Sequence, residues 1–329
     1  MDFIAATEAF RPELLAHCYR MTGSLHDAED LVQETMLRAW RSAGAYDPSR
    51  ASLRTWLYRI ATNVCLTALA SHHRRSLPAG LSGASTVTDV GKLEAREDVL
   101  WLEPFPEALR PASDPAAIIE SRDSIRLAFI AALQYLPPRQ RAVLILRDVL
   151  AMPAAETAEL LEITVASVNS ALQRARGQLA AADPSPDGLA EPDDATERDL
   201  LGRYMAAMAA MDVEALKQTL REDALLQMPP FPAWFSGRDS IAAFMSTVFA
   251  RGGSFGFLPT RANGQPAIAL YRRRDDEAHR FLHLQVFALD PHGIARIDGF
   301  PGKRLPAAFG LPATLPRQVN AEPLPSTVS

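Results

Sequence analysis

Three rows of side chains in this sequence have types and spacings suited to reading or gripping another macromolecule. The first lies in "TVASVNSALQRARGQL", residues 164–179. At 3.6 residues per turn, Val165, Val168, Ala171, Leu172, Ala175 and Leu179 share one side and suit a core. Ser167, Ser170, Gln173 and Arg174 share the other side. Thr164 suits an N-cap, because its hydroxyl accepts from an otherwise unpaired N–H of the first turn. Small side chains at the start allow close approach to a surface, and Arg174 and Arg176 can then grip phosphates. The second row is Trp56, Arg59 and Asn63 in "SLRTWLYRIATNVCLTAL". A ring stacks on an unstacked base, a cation holds phosphate and an amide reads a base edge. In the third, Leu37 sits among Asp30, Gln33, Glu34, Arg38 and Arg41, an apolar centre with a polar rim. Each row also has a plain alternative: a solvated helix face, a half-packed tryptophan, a lone surface leucine.

The elements that must position these rows are helices. "MPAAETAELLEI", residues 152–163, precedes the first row; Pro153 suits a first helical turn, and Leu160 and Leu161 give an apolar stripe. Ala158 is small where two helices cross, and a turn around Glu162 and Ile163 joins them, with Glu162 where many such turns carry glycine. Two short helices so joined form a helix-turn-helix, whose second helix enters the major groove of DNA. The Leu37 helix opens with Ser24 and Asp27 at capping-box spacing, and its apolar face is Ala28, Leu31, Val32, Met36, Ala39 and Trp40. The Trp56 helix buries Leu53, Leu57, Ile60, Ala61 and Val64.

Composition narrows the partners. The 329 residues carry 34 Lys and Arg against 39 Asp and Glu, a net charge of −5. A protein that holds DNA alone concentrates more positive charge, so something else must help to hold it there. No apolar run approaches the ~18 residues of a membrane span, and no basic start precedes an apolar stretch, so a cytoplasmic protein with no membrane partner is expected. Cys18 and Cys65 read as reduced core thiols; no Cys or His spacing suits zinc, and the adjacent His72 and His73 are poorly placed to share a metal. No metal and no cofactor are expected.

Helical pattern runs to residue 75 and dissolves into a linker, 76–119, inside which "VLWLEPFPEALRP" is apolar enough that Trp101 and Phe105 should dock on something. Helices resume over 120–182, and an acidic hinge covers 183–195. From 196 to 316 come a helix "TERDLLGRYMAAMAAMDVEALKQTL", a turn and second helix in "PPFPAWFSGRDSIAAFMSTVFA", and strands "SFGFLPTRAN", "QPAIALYRRR", "HRFLHLQVFALD" and "GIARIDGF". A Pro-rich tail, 317–329, closes the chain.

Taken together, "DAEDLVQETMLRAW" with "SLRTWLYRIATN" resembles region 2, and "LQYLPPRQRAVLILRDVLAMPAAETAELLEITVASVNSALQRARGQL" resembles region 4, of the extracytoplasmic-function (ECF) class of bacterial RNA polymerase sigma factors. The resemblance implies a multidomain chain with two all-α domains, a region 2 helical bundle and a region 4 helix-turn-helix. It implies that Asp30, Gln33, Glu34, Leu37 and Arg38 dock on the core polymerase, whose beta-prime clamp and beta flap are the expected contacts. Arg54, Trp56, Arg59 and Asn63 would lie by the −10 promoter element, with the loop "GAYDPSRAS" capturing an extruded base. Thr164, Ser167, Asn169, Ser170, Gln173, Arg174 and Arg176 would read the −35 element. Leu53 stands where many relatives have Phe, and Met152 where an aromatic is common. Polymerase as partner also accounts for the acidic net charge.

The C-terminal part resembles the SnoaL-like, NTF2-like fold, an α+β cone of curved sheet and helices around a pocket, in "YMAAMAAMDVEALKQTLREDALLQMPP", "FSGRDSIAAFM" and "IARIDGFPGKRLPAAFGLP". "WLEPFPE" resembles the linker motif of the sigma subgroup that carries such an extension. Alternation along "RFLHLQVFALD" puts Phe281, His283, Gln285 and Phe287 on one face; Trp234, Arg261, His283 and Gln285 are the pocket candidates, for a small-molecule ligand. Proton transfer would need a carboxylate base and a neutral acid in an apolar site; Asp298 is the sole candidate base, and no catalytic residue is assigned. The extension is expected to regulate the sigma part by packing on it or on the linker. Two other readings are a stand-alone helix-turn-helix regulator with a ligand-binding domain, and an enzyme domain fused to a sigma factor.

Overall fold

Side-chain caps start most of the long helices. The computed structural model describes residues 3–70, 74–111, 124–181, 192–274 and 278–316, so His72, His73, most of the hinge and the tail 317–329 lie outside it. The chain divides into two units: Met1–Arg75 with Leu102–Pro184, and Ser76–Trp101 with Ser185–Ser329.

The first unit is helical: α1 (Phe3–Glu8), α2 (Arg11–Thr22), α3 (Leu25–Arg41), α4 (Leu53–Leu69), α5 (Leu127–Leu133), α6 (Pro138–Leu144), α7 (Ala154–Leu161) and α8 (Val165–Ala181). Gly23 ends α2 at φ 71°, a left-handed conformation that a side chain would strain, and a Cβ there would sit 3.2 Å from Gln134. One residue on, Ser24 Oγ accepts from Asp27 N at 3.1 Å and opens α3. Leu14, Met21, Val32, Met36, Leu57 and Val64 are buried between α2, α3 and α4. Leu31, Leu53 and Ile60, expected in that core, are only half-buried. Trp40 is 36% exposed, because the last turn of α3 runs past the core and its indole donates to Thr7 Oγ1. Cys18 and Cys65 are free and buried, their sulfurs 3.6 Å apart.

Two buried arginines brace this unit. Arg141 donates to Gln134 Oε1 at 2.7 Å, to Leu136 O at 3.1 Å and to Met21 O at the end of α2. Arg20 donates to Ser124 O at 3.1 Å. Burial lowers both to about 10, so both stay charged at neutral pH. A buried cation is tolerated when hydrogen bonds satisfy it, and here those bonds join α2 to the chain around α5 and α6.

The second unit holds α9 (Asp194–Ala210), α10 (Val213–Lys217), β1 (Leu220–Gln227), β2 (Trp234–Ser236), α11 (Arg238–Phe249), β3 (Ser254–Ala262), β4 (Gln265–Arg273), β5 (His279–Asp290), β6 (Gly293–Phe300), α12 (Leu305–Ala308) and β7 (Thr314–Leu315). Its sheet runs β2-β1-β6-β5-β4-β3, with β7 on β5; β1 and β6 are parallel, and the other pairs are antiparallel. The single helix expected over 196–220 is two, because Met211 turns left-handed at φ 54° and Asp212 caps α10. β2 falls in a stretch read as a turn, and β1, apart from Leu220, in a stretch to which the sequence pattern assigns no element.

The stretch read as one linker is divided. Residues 76–101 lie along the second unit: Ala79 N donates to Gln227 Oε1 at 3.1 Å, Ser85 N to Trp234 O at 2.7 Å, Arg96 N to Pro230 O at 2.9 Å, and Thr247 Oγ1 to Thr88 O at 2.9 Å. Residues from Leu102 on lie in the first unit. Glu103 accepts from Ser24 Oγ at 2.9 Å and from His26 N at 3.2 Å at the start of α3, where a helix N-terminus favours negative charge. Phe105 is fully buried against Tyr19, ring centres 4.8 Å apart, while Trp101, only half-buried, donates to Arg96 O.

Candidate nucleic-acid interface and apolar cavity

α7 and α8 form the helix-turn-helix. Pro153 precedes α7, and Thr157 N donates to its carbonyl at 2.9 Å. Glu162 closes α7 at φ 56°, the left-handed position that glycine takes most easily. Thr164 Oγ1 then accepts from Ser167 N at 3.1 Å and caps α8. Val168, Ala171, Leu172 and Ala175 are buried; Leu179 is half-buried, and Val165 is 42% exposed because it stands in the first turn, ahead of the packed part of the helix. Thr164, Ser167, Asn169, Ser170, Gln173 and Arg174 are all exposed. Arg176 is exposed too, but its guanidinium is bidentate on Asp148 at 2.7 and 2.9 Å.

The Trp56 row is differently placed. Trp56 is half-buried against Phe3 and Tyr46, ring centres 6.0 and 5.3 Å away. Arg59 donates to Glu162 at 2.6 Å, and Thr55 to Glu156 at 2.5 Å, so the helix-turn-helix engages Arg59 and the neighbouring Thr55 within the first unit. Arg54 is held by Glu13 at 2.7 Å and lies over the Tyr58 ring. Asn63 is exposed. On α3, Asp30, Gln33 and Arg38 are exposed, and Glu34 and Leu37 are half-buried; Arg38 donates to Glu34 at 2.6 Å. Leu37 thus lies at the centre of a charged, accessible face.

In the second unit a cavity of about 250 Å³ opens between helices and sheet, lined by His283 and Gln285 but by neither Trp234 nor Arg261. Trp234, on the short edge strand, donates to Ser82 O at 2.8 Å; Arg261 is exposed and donates to Glu197 at 3.0 Å. Phe281 is also off the cavity. β4 pairs Leu270 with His283 but Tyr271 with Phe281, so an extra residue, Leu282, is inserted and turns Phe281 to the opposite face, against Tyr271. Gln285 accepts from Tyr204 Oη at 3.1 Å. Desolvation lowers His283 to about 4, so it is neutral at physiological pH. Asp298 is fully buried elsewhere, accepting from Gln227 Nε2 at 2.6 Å and lying 3.2 Å from Arg296.

Residues 7–75 match the Sigma-70 region 2 family, 126–179 the Sigma-70 region 4 family and 201–297 the SnoaL-like domain family. The chain is 47% identical over 317 residues to the ECF RNA polymerase sigma factor SigG of Mycobacterium tuberculosis (strain H37Rv), covering 95% of this chain and 85% of that protein. It belongs to the ECF RNA polymerase sigma factors. Sigma factor SigJ of the same strain is 34% identical over 222 residues, 67% of this chain and 62% of SigJ. The crystal structure of M. tuberculosis SigJ shares the fold, with a TM-score of 0.60 at 23% identity over 94% of this chain and 99% of that one. The two helical sigma regions and the C-terminal α+β NTF2-like domain are therefore those of this sigma factor class.

Several residues that shape these surfaces have no signal in the sequence of this sigma factor. Glu156 and Glu162 read as ordinary helix and turn residues, yet they accept from Thr55 and Arg59 on either side of Trp56. Val90 and Leu93 lie in a Gly- and Ser-rich stretch, yet they form part of the cavity wall. Among the described residues, no helix is long and apolar enough to cross a membrane and no side-chain cluster suits a metal ion.

Proposed function

We propose that this sigma factor, acting in the cytoplasm, brings core RNA polymerase to paired −35 and −10 elements, with α8 reading the −35 duplex and the Trp56 row holding the opened −10 strand. The observation that carries this is the capped, unobstructed polar face Ser167, Asn169, Ser170, Gln173 and Arg174 in the same unit as the Leu37-centred face of α3. Small residues at the N-terminus of α8 allow close entry to the groove, and Gln173 and Arg174 suit base edges and phosphates. Asp30, Gln33, Glu34, Leu37 and Arg38 form the polymerase contact.

The Trp56 row supplies a stacking ring, but its cation is held by Glu162. The Glu162 contact must therefore release before Arg59 can meet the −10 strand beside Arg54, Trp56 and Asn63, of which Arg54 is held by Glu13 and Asn63 is already exposed. Arg176, held by Asp148, contributes less to the −35 contact than Arg174. The test is permanganate footprinting of the −10 region, with core enzyme and promoters selected from a random library. Melting should require the full chain and fall with Trp56→Ala, whereas protection of the −35 duplex should persist; loss of both together would contradict the division of labour.

The second unit acts as a non-catalytic regulatory domain that binds a small molecule. Supporting this, the cavity lining contains no carboxylate among the described residues, and Asp298 is engaged outside it. Residues 76–101, fastened along this domain, give it a covalent and structural hold on the segment that joins the two sigma regions.

A further inference from the structure

The cavity of the second unit has a definite chemical character. Leu216, Leu226, Ile241, Phe244 and Leu270 give it an apolar floor. Arginines Arg251, Arg272 and Arg274 also line it, and among the described residues no acidic residue does. Arg251 and Arg274 are exposed. Among the described residues, none of the three is ion-paired to a carboxylate. Arg272 is fixed: it donates to Gly252 O at 2.6 Å and lies over the Phe255 ring, yet its buried Nε has no partner. Burial, and then the charges of Arg274 and Arg251, lower its pKa, so the other two cations stand near enough to act on it. His283 adds a polar ring without charge, since desolvation holds it neutral.

We propose that this cavity binds a medium-chain carboxylate, with its alkyl chain on the apolar floor and its head on Arg251, Arg272 and Arg274, and with Val90 and Leu93 of the 76–101 segment as part of the wall. An apolar enclosure with a few convergent polar groups is the usual form of a small-molecule site, and guanidinium groups pair with carboxylates through charge-assisted hydrogen bonds. The volume, about 250 Å³, lies just under the ~300–1,000 Å³ of drug-sized pockets and so favours a short chain over a long one. Val90 and Leu93 pack against the hydrophobic core of this unit, and Thr247 Oγ1 holds the segment between them and Ala79 through Thr88 O at 2.9 Å. The occupant therefore touches the same segment that leads into the sigma unit. This inference rests on the reading of the second unit as a non-catalytic ligand-binding domain.

The test is equilibrium dialysis of radiolabelled decanoate against the full-length protein, with 1-decanol and decyltrimethylammonium as neutral and cationic probes of the same length. Saturable decanoate binding at least tenfold tighter than decanol is expected, with the cation weakest. The exposed-site double variant Arg251→Glu with Arg274→Glu should weaken decanoate tenfold or more and leave decanol unchanged. Val90→Asp should weaken both neutral and anionic probes. Absent decanoate binding, equal affinity for decanol, or indifference to the double variant overturns the ligand class; indifference to Val90→Asp overturns the wall assignment. Promoter-dependent initiation by the same preparations is measured in parallel. A preparation that initiates normally and binds no decanoate sinks this inference alone, whereas one that binds decanoate and never initiates sinks the promoter reading alone.

Discussion

The two units place their polar residues in opposite ways. In the helical unit the residues proposed for the −35 and polymerase contacts stand on outer helix faces, and the buried charges, Arg20 and Arg141, are braces that donate to acceptors on neighbouring segments. In the mixed unit the polar residues turn inward around a cavity, where His283 makes no hydrogen bond among the described residues and the Arg272 Nε is unpartnered. One unit turns its buried guanidinium groups to holding helices together; the other turns one, Arg272, to the wall of a cavity. That difference is what the two proposed functions require, a surface that meets large partners and a site that encloses a small one.

The largest effect that would break this comparison is removal of a brace. Arg141→Ala strips hydrogen bonds from Gln134, Leu136 and Met21, and loss of one member of a buried charged network typically costs ~3–5 kcal/mol. Calorimetry should show the helical unit melting earlier while the mixed unit keeps its transition. A common shift of both would mean that the units do not differ in this way.

Acid sharpens the contrast next. His17 is fully buried, hydrogen-bonded to Thr62 at 3.0 Å, and lowered by desolvation from the usual 6.5 to about 3. Below pH ~6.5 the unfolded chain takes up this proton and the folded one does not, so stability is complete above that pH and falls toward pH 3. The slope is about 1.4 kcal/mol per pH unit for one such group. Urea midpoints of the helical unit should drop from pH 7 to pH 5, and His17→Gln should flatten the drop. His283 shifts in the same direction, to about 4, so the mixed unit weakens over a narrower window that ends nearer pH 4. An unchanged midpoint in wild type between pH 7 and 5 would contradict the burial of a neutral His17.

A smaller effect is expected on α8. Gln173→Ala with Arg174→Ala removes contacts worth ~1–3 kcal/mol of base discrimination, so initiation from −35-dependent promoters should fall about tenfold in run-off assays, with little change in the thermal midpoint. The smallest belongs to the turn. Glu162→Gly relieves a left-handed side chain and frees Arg59; an exposed pair is worth ~0–1 kcal/mol, so initiation should rise no more than about fivefold. A fall in initiation would mean that the Glu162 contact assists the −10 row and does not withhold Arg59 from it.

Helical period made the first unit readable. Val168, Ala171, Leu172 and Ala175 lie where the 3.6-residue spacing puts them, and the Ser24 and Thr164 caps formed as their side chains predicted. The period says nothing about where packing begins, which is why Val165 and Trp40 stand exposed. Nor does it reveal tertiary ion pairs such as Arg176 with Asp148 or Arg59 with Glu162. In the second unit β5 and β6 have the expected bounds, and His283 and Gln285 line the cavity. Phe281 was lost to a one-residue bulge, which reverses every face beyond it without a mark in the alternation. Val90 and Leu93 show a further limit, since a wall contributed from far along the chain leaves no local pattern.

The most direct test of the account is run-off transcription with purified core polymerase, comparing the full chain with its Leu37→Asp variant on promoters selected from a random library. The account predicts transcripts starting at defined sites with the wild-type chain and their loss with Leu37→Asp, because a charge at the centre of an interface removes a desolvated anchor while leaving a half-exposed position free to fold. Equal initiation by the folded variant would contradict the polymerase-binding face. Binding of the wild-type chain to duplex DNA without polymerase, together with no transcripts, would contradict the proposed promoter function itself.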